Sequence, residues 1–153
     1  MQNKKCVVCG KPGEKHHIIF KSEGGLDFPL NYIYLCSEHH RGKKSPHRNK
    51  KINLMYKLEF QNKLNNILTK KYYFMNEIMK ILFLNSSQVK SICKKFKLYK
   101  EGYKREDIIK ILMGGKVYYD FMLDEFYDDS WNIVDDFISD SELELKLYNN
   151  CDF

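Results

Sequence analysis

The chain has 153 residues, 43% hydrophobic and 14% aromatic, which is material for one ordinary domain or two very small ones with packed cores. No stretch approaches the roughly 18 apolar residues of a membrane span, and Met1-Gln2-Asn3-Lys4-Lys5 meets Cys6 without an apolar signal region, so the expectation is a soluble cytoplasmic protein with no membrane partner. The net charge of +6 is uneven: residues 117–153 carry eleven acids against Lys146 alone, a net of −10, leaving +16 elsewhere, which favours a polyanion partner over plain solubility.

In chain order the sequence divides into four regions. Residues 1–50 are loop-rich, with two predicted strands, His17-Ile18-Ile19-Phe20 and Asn31-Tyr32-Ile33-Tyr34-Leu35, separated by Ser22-Glu23-Gly24-Gly25 and Pro29. So little apolar material implies help from a metal or a neighbouring element. Residues 51–71 form the body of a connecting helix predicted from about Asn49 to Lys70, because Ile52, Met55, Leu58, Leu64 and Leu68 recur near helical spacing. Residues 72–116 read as two helices, Met75 to Leu82 and Ser86 to Phe96, joined by a turn at Phe83-Leu84-Asn85, with Ser86 or Ser87 as N-cap and Gly114-Gly115 as a stop. Residues 117–153 form an acidic tail that also holds Phe121, Phe126, Tyr127, Trp131 and Phe137, too apolar to be purely solvated.

The first region contains the most specific pattern. Cys6-x-x-Cys9 and Cys36-x-x-His39 are two short-range ligand pairs on two turns, the usual supply for a tetrahedral structural Zn²⁺. A redox Cys-x-x-Cys would need a βαβ context that Gly10-Lys11-Pro12-Gly13 does not offer. Cys93 lies in a helical pattern and reads as a small buried hydrophobe, while Cys151 is uninformative. With His39 given to zinc, His16, His17, His40 and His47 remain within 32 residues, more than packing would use.

The segments His16-His17-Ile18-Ile19, Pro29-Leu30-Asn31-Tyr32-Ile33-Tyr34-Leu35-Cys36 and His39-His40-Arg41-Gly42 resemble the HNH endonucleases, whose ββα-metal fold takes its name from His, Asn and His. The resemblance covers about residues 6–50 and is nearest to HNH proteins of phage and bacterial homing endonucleases. It implies metal-assisted hydrolysis of a DNA phosphodiester in a bacterial or phage-infected cell. Carried over residue by residue, it makes His17 the general base, His16 and His40 ligands of one divalent cation, and Asn31 the residue that keeps His17 correctly turned. Many members have a further metal histidine where this chain has Lys44, and His47 is the candidate to replace it from a longer turn. Mg²⁺ or Mn²⁺ is the expected cation, with Ni²⁺ or Zn²⁺ also compatible with imidazole.

Double-stranded DNA is the partner this implies. Arg41, Lys43, Lys44 and Arg48, followed by Lys50 and Lys51, are candidate backbone clamps, with a solvated helix face as the alternative. Residues 75–96 look like a helix-turn-helix, and Leu98 to Ile109 resembles the wing and trailing helix of small winged regulators. That likeness would bring Gln88, Lys90, Ser91, Lys94 and Lys95 to the major groove and Tyr103, Lys104 and Arg105 to the backbone. Phe83 and Met79 depart from it, since the turn usually holds Gly and the first helix a small residue. The fold class expected is α+β: a zinc-stabilised ββα-metal unit, a mostly helical helix-turn-helix-like domain and an acidic tail that folds back on the basic surface. The competing function is a noncatalytic zinc-stabilised DNA-binding regulator.

Overall fold

The computed structural model describes residues 4–126. They form an α+β structure in the order β1 (Glu14–His17), β2 (Tyr32–Leu35), α1 (Ser37–Arg41), α2 (Lys50–Ile67), β3 (Tyr72–Tyr73), α3 (Met75–Ile81), α4 (Ser86–Cys93), β4 (Leu98–Tyr99), β5 (Gly102–Lys104) and α5 (Arg105–Leu112). Strands β1 and β2 pair with each other, and β3, β5 and β4 make a second sheet in that order. Among the described residues no helix is long and apolar enough to cross a membrane. Residues 127–153, including Cys151 and most of the acidic tail expected to fold back, lie outside the described residues.

The chain groups into two compact units that do not follow its linear order. One takes the described residues up to His16, Ile33–Met55 and the described residues from Tyr119; the other takes His17–Tyr32 and Tyr56–Tyr118. In the first, a tight knuckle closes where the Cys6 N–H donates to the Lys11 carbonyl (2.7 Å) and the Gly10 N–H to the Cys6 carbonyl (2.9 Å). The Val7 N–H then donates to the Tyr34 carbonyl (3.0 Å), laying the knuckle along β2. Helix α1 is a single short turn ended at Gly42, whose N–H reaches the Glu38 carbonyl. The chain next turns through Ser45, whose carbonyl accepts from Arg48 and Asn49 (3.0 and 2.8 Å), and the Asn49 side chain caps α2 by accepting from the Ile52 N–H (3.0 Å).

In the second unit, the segment expected as the strand His17-Ile18-Ile19-Phe20 is displaced: β1 ends at His17. The cause is Asn31, fully buried, whose Oδ1 accepts from the Ile19 N–H (2.9 Å) while its Nδ2 donates to the Ile19 and Leu26 carbonyls (3.1 and 2.7 Å). A side-chain amide thus replaces the strand ladder at Ile19 and satisfies both of its backbone groups. The loop folds so closely that a Cβ on Gly25 would lie 1.9 Å from the Ile19 carbonyl oxygen.

Helix α2 buries Leu58 and Leu64 as its periodicity predicts, with Leu68 buried just beyond its end, and also buries Tyr56, Phe60, Lys57 and Gln61. Lys57 is tolerated inside because its ammonium meets Glu23 at 2.7 Å and lies 5.3 and 5.5 Å from the Phe20 and Tyr118 ring centres. Gln61 is satisfied by the backbone of Tyr118, giving to its carbonyl (2.7 Å) and accepting from its N–H (2.9 Å).

Helix α3 buries Ile78, while α4 buries Val89, Ile92 and Cys93 and α5 buries Ile108, Ile109 and Leu112 at the three- and four-residue spacing of one apolar face. The α4 cap is Asn85, one residue before the expected serines: its Oδ1 accepts from the Gln88 N–H (2.9 Å) and its own N–H donates to Gln88 Oε1 (3.0 Å). That reciprocal pair satisfies two donors, which a serine a residue later would not. In the preceding turn Phe83 has φ of 53°, the left-handed conformation that glycine adopts without cost. The β4–β5 hairpin is joined by β3, a strand the sequence did not announce, with Tyr73 opposite Tyr103. Gly102 sits there at φ of 118°, and a Cβ would fall 2.6 Å from the Tyr73 carbonyl oxygen.

Candidate metal centres

Two clusters of metal-binding side chains stand in the first unit. Cys6 and Cys9 come from the knuckle, Cys36 from the residue before α1 and His39 from within it, and their donor atoms all lie within 4.8 Å of one another. The Cys6 and Cys36 sulfurs are 3.5 and 3.2 Å from His39 Nδ1, and the Cys9 and Cys36 sulfurs are 3.6 Å apart. Zinc bonded tetrahedrally to sulfur at about 2.3 Å and nitrogen at about 2.0 Å sets donor–donor edges of roughly 3.5–3.8 Å, so this set fits the ion. All four expected zinc ligands are therefore brought together.

Two of the three thiols, Cys6 and Cys36, are shifted toward the thiolate form that binds metal. Burial alone would raise Cys6, but backbone bonds from Cys36, Cys9 and Val8 outweigh it and hold the thiol below its ordinary range. Cys36 is lowered chiefly by the backbone of His39, against the effect of burial. Cys9 moves up: a backbone bond from Lys11 lowers it, but burial and the neighbouring Cys36 and Cys6 sulfurs prevail. A dication in their midst relieves that crowding of negative charge.

The second cluster is His16, His40 and His47, again with donor nitrogens within 4.8 Å of one another. His16 is buried on β1, His40 half-buried on α1, and His47 exposed in the turn before α2. Ring centres are 4.8 Å apart for His16 and His47, and 5.2 Å apart for each of the other two pairs. The Pro46 carbonyl accepts from Asn53 Nδ2 (3.2 Å), which fixes the turn carrying His47 to the first turns of α2. Burial, and then the His40 charge, hold the His47 imidazole below its usual range, and a neutral imidazole is the form that binds metal. His47 thus takes part where Lys44 could not. The set offers three imidazoles with no carboxylate among them, a donor chemistry that suits transition ions better than Mg²⁺.

Glu14 was not anticipated. It shares the alternate-residue face of β1 with His16, and its Oε2 lies 3.2 Å from His40 Nδ1 and accepts from Arg41 Nη2 at 2.7 Å. A carboxylate on Nδ1 leaves Nε2 of His40 for a metal, the usual arrangement behind a histidine ligand. The only sequence signal was an acid two residues before His16.

His17 belongs to the second unit, and its ring partner is also unexpected. Its Nε2 lies 3.1 Å from Asp27 Oδ1, and its ring centre is 6.2 Å from that of Tyr32. Asn31, expected to turn His17, directs its side chain to Ile19 and Leu26, fixing the backbone just after His17 while Asp27 meets the imidazole. Several residues expected at DNA have partners within the chain. Arg105 donates through Nη2 to the Asn65 carbonyl and Oδ1 (3.0 and 2.9 Å) and through Nε to the Leu68 carbonyl, closing the C-terminal end of α2 as cationic side chains do. The Gln88 amide is occupied at its oxygen by Asn85 and at its nitrogen by the Asp27 carbonyl (2.6 Å). Arg41 is paired with Glu14, Lys104 lies 3.7 Å from Glu106, and Lys43, Lys44, Arg48, Lys90, Lys94 and Lys95 are exposed.

No family model matches the chain, and no curated protein or solved structure shows detectable similarity to it.

Proposed function

We propose that this chain is a metal-dependent DNA endonuclease of the HNH type. The observation that carries the reading is the division of adjacent histidines: His39 joins the cysteine cluster, His40 joins His16 and His47, and His17, next to a ligand, is held by a carboxylate instead. In this reading the cysteine cluster holds structural zinc, and the three histidines hold the catalytic cation. When bound, that cation supplies positive charge to the scissile phosphate and the leaving oxygen. The protein's own part is proton transfer. With Nε2–H donating to Asp27, His17 has its lone pair on Nδ1, from which it takes a proton from the water that attacks phosphorus. Arg41, Lys43, Lys44 and Arg48 surround the second cluster in sequence and supply backbone contacts, while α4 and the β4–β5 hairpin, with exposed Lys90, Lys94 and Lys95, give a helix-turn-helix-like surface for placement on duplex DNA.

The competing regulator reading draws on that same basic helix and hairpin, and His17 separates the two. Zinc-loaded His17→Ala protein should bind duplex DNA as the wild type does yet lose at least about 100-fold in nicking of supercoiled plasmid with Mn²⁺, Mg²⁺ or Ni²⁺. Wild-type protein that binds DNA and nicks with none of these ions would decide for the regulator.

A further inference from the structure

The loop that holds His17 is itself held by α4. Gln88 is the third residue after the cap Asn85, and its Oε1 completes the reciprocal cap by accepting from the Asn85 N–H. Its Nε2 reaches across 61 positions of sequence to the Asp27 carbonyl at 2.6 Å. The carboxylate of that same Asp27 meets His17 Nε2 at 3.1 Å. One residue therefore connects the imidazole to the first turn of α4.

Asp27 stands between two anchored stretches of the loop. On one side the Leu26 carbonyl is tied to Asn31, and Gly25 is pressed against Ile19 with no room for a side chain. On the other, Phe28 is buried, its ring centre 6.2 Å from that of Phe60. Asp27 itself is exposed between these anchors, and the bond from Gln88 pins its peptide group. Gln88 thus holds the peptide of the residue whose carboxylate meets the ring.

We propose that Gln88 is a positioning residue: through the Asp27 carbonyl it fixes the carboxylate that keeps the proton of His17 on Nε2. Nδ1 is thereby kept as the proton acceptor, and its orientation is tied to the helix that lies against DNA in the reading above. The catalytic consequence rests on the endonuclease reading; the connection itself does not. In this reading Gln88 is a link between binding and cutting, its amide oxygen and nitrogen each holding one internal bond.

Gln88→Glu isolates the link, because glutamate serves equally in the reciprocal cap but cannot donate to a carbonyl. In the full-length zinc-loaded protein the ring nitrogens of His17, assigned against His17→Ala, should show a proton fixed on Nε2 by ¹H–¹⁵N spectroscopy. In Gln88→Glu and in Asp27→Ala they should show mixed tautomers. Nicking at saturating plasmid should fall about tenfold in Gln88→Glu, within the range for residues that orient a site, with DNA affinity inside twofold of wild type. An unchanged His17 spectrum in Gln88→Glu overturns the proposal, as does lost DNA affinity with the tautomer intact, which would make Gln88 a DNA contact. If the wild type does not nick with any metal, the endonuclease reading fails while the His17 spectra still decide the link.

Discussion

In the unit that carries both candidate metal clusters, the buried hydrophobic side chains among the described residues are Cys6, Leu35 and Cys36, and Cys6 and Cys36 belong to the group that could hold a metal. The other unit buries Ile19, Phe28, Phe60, Leu64, Leu68, Tyr73, Ile78, Leu82, Ile92, Ile108 and Leu112, all at 2% exposure or less. Among its described residues the first offers little apolar burial beside side chains that could hold a metal; the second is a conventional apolar core in which the few buried polar groups, Asn31, Lys57 and Gln61, are individually satisfied. A small unit can replace apolar burial with metal bonds, because a structural zinc contributes on the order of 10 kcal/mol to the folding of the segment that binds it.

The sharpest way to break this contrast is to remove the metal. Chelation, or Cys36→Ser, should unfold the first unit and leave the second folded, so that hydrogen exchange loses protection at Val7 and Gly10 and keeps it at Ile92 and Leu112. Loss of protection in both units together would show that the apolar core also relies on the metal. A smaller effect sharpens the account of the second unit. Arg105→Ala removes the guanidinium bonds that close α2 and should cost about 2 kcal/mol in urea unfolding, with DNA affinity at low salt weakened less than by Lys95→Ala. The reverse order of affinities would return Arg105 to the DNA surface. Smallest is Phe83→Gly: the exposed side chain occupies a left-handed backbone, and glycine should relieve about 1 kcal/mol of strain, partly offset by unfolded-state entropy, for a net gain in melting temperature of a few degrees at most.

How far each part could be read beforehand follows the distance over which it is decided. The pairs Cys6/Cys9 and Cys36/His39 and the periodicity of α2 are local, and the ligands come together and the helix forms accordingly. The reciprocal cap at Asn85 is also local, with Gln88 three residues on, but Ser86 and Ser87 offer competing cap residues immediately after it. Strand β3 is two residues long and exists because β5 pairs with it, so no local pattern announces it. The early end of β1 depends on one buried amide, Asn31, whose importance the resemblance suggested but whose bonds to Ile19 only the folded loop reveals.

By itself the sequence determined which side chains are available for metal: three cysteines and four histidines at spacings that tight turns can present, on a chain whose basic body suits a polyanion. Tertiary structure decided how they are used. It set Glu14 behind His40 and Asp27 against His17, and engaged Arg105 and Gln88 in internal bonds. The physical reason is that ligand spacing within a turn is fixed by a few backbone dihedrals. A side chain's choice of partner 10, 26 or 61 residues away is instead fixed by where burial of the apolar side chains between them brings the backbone.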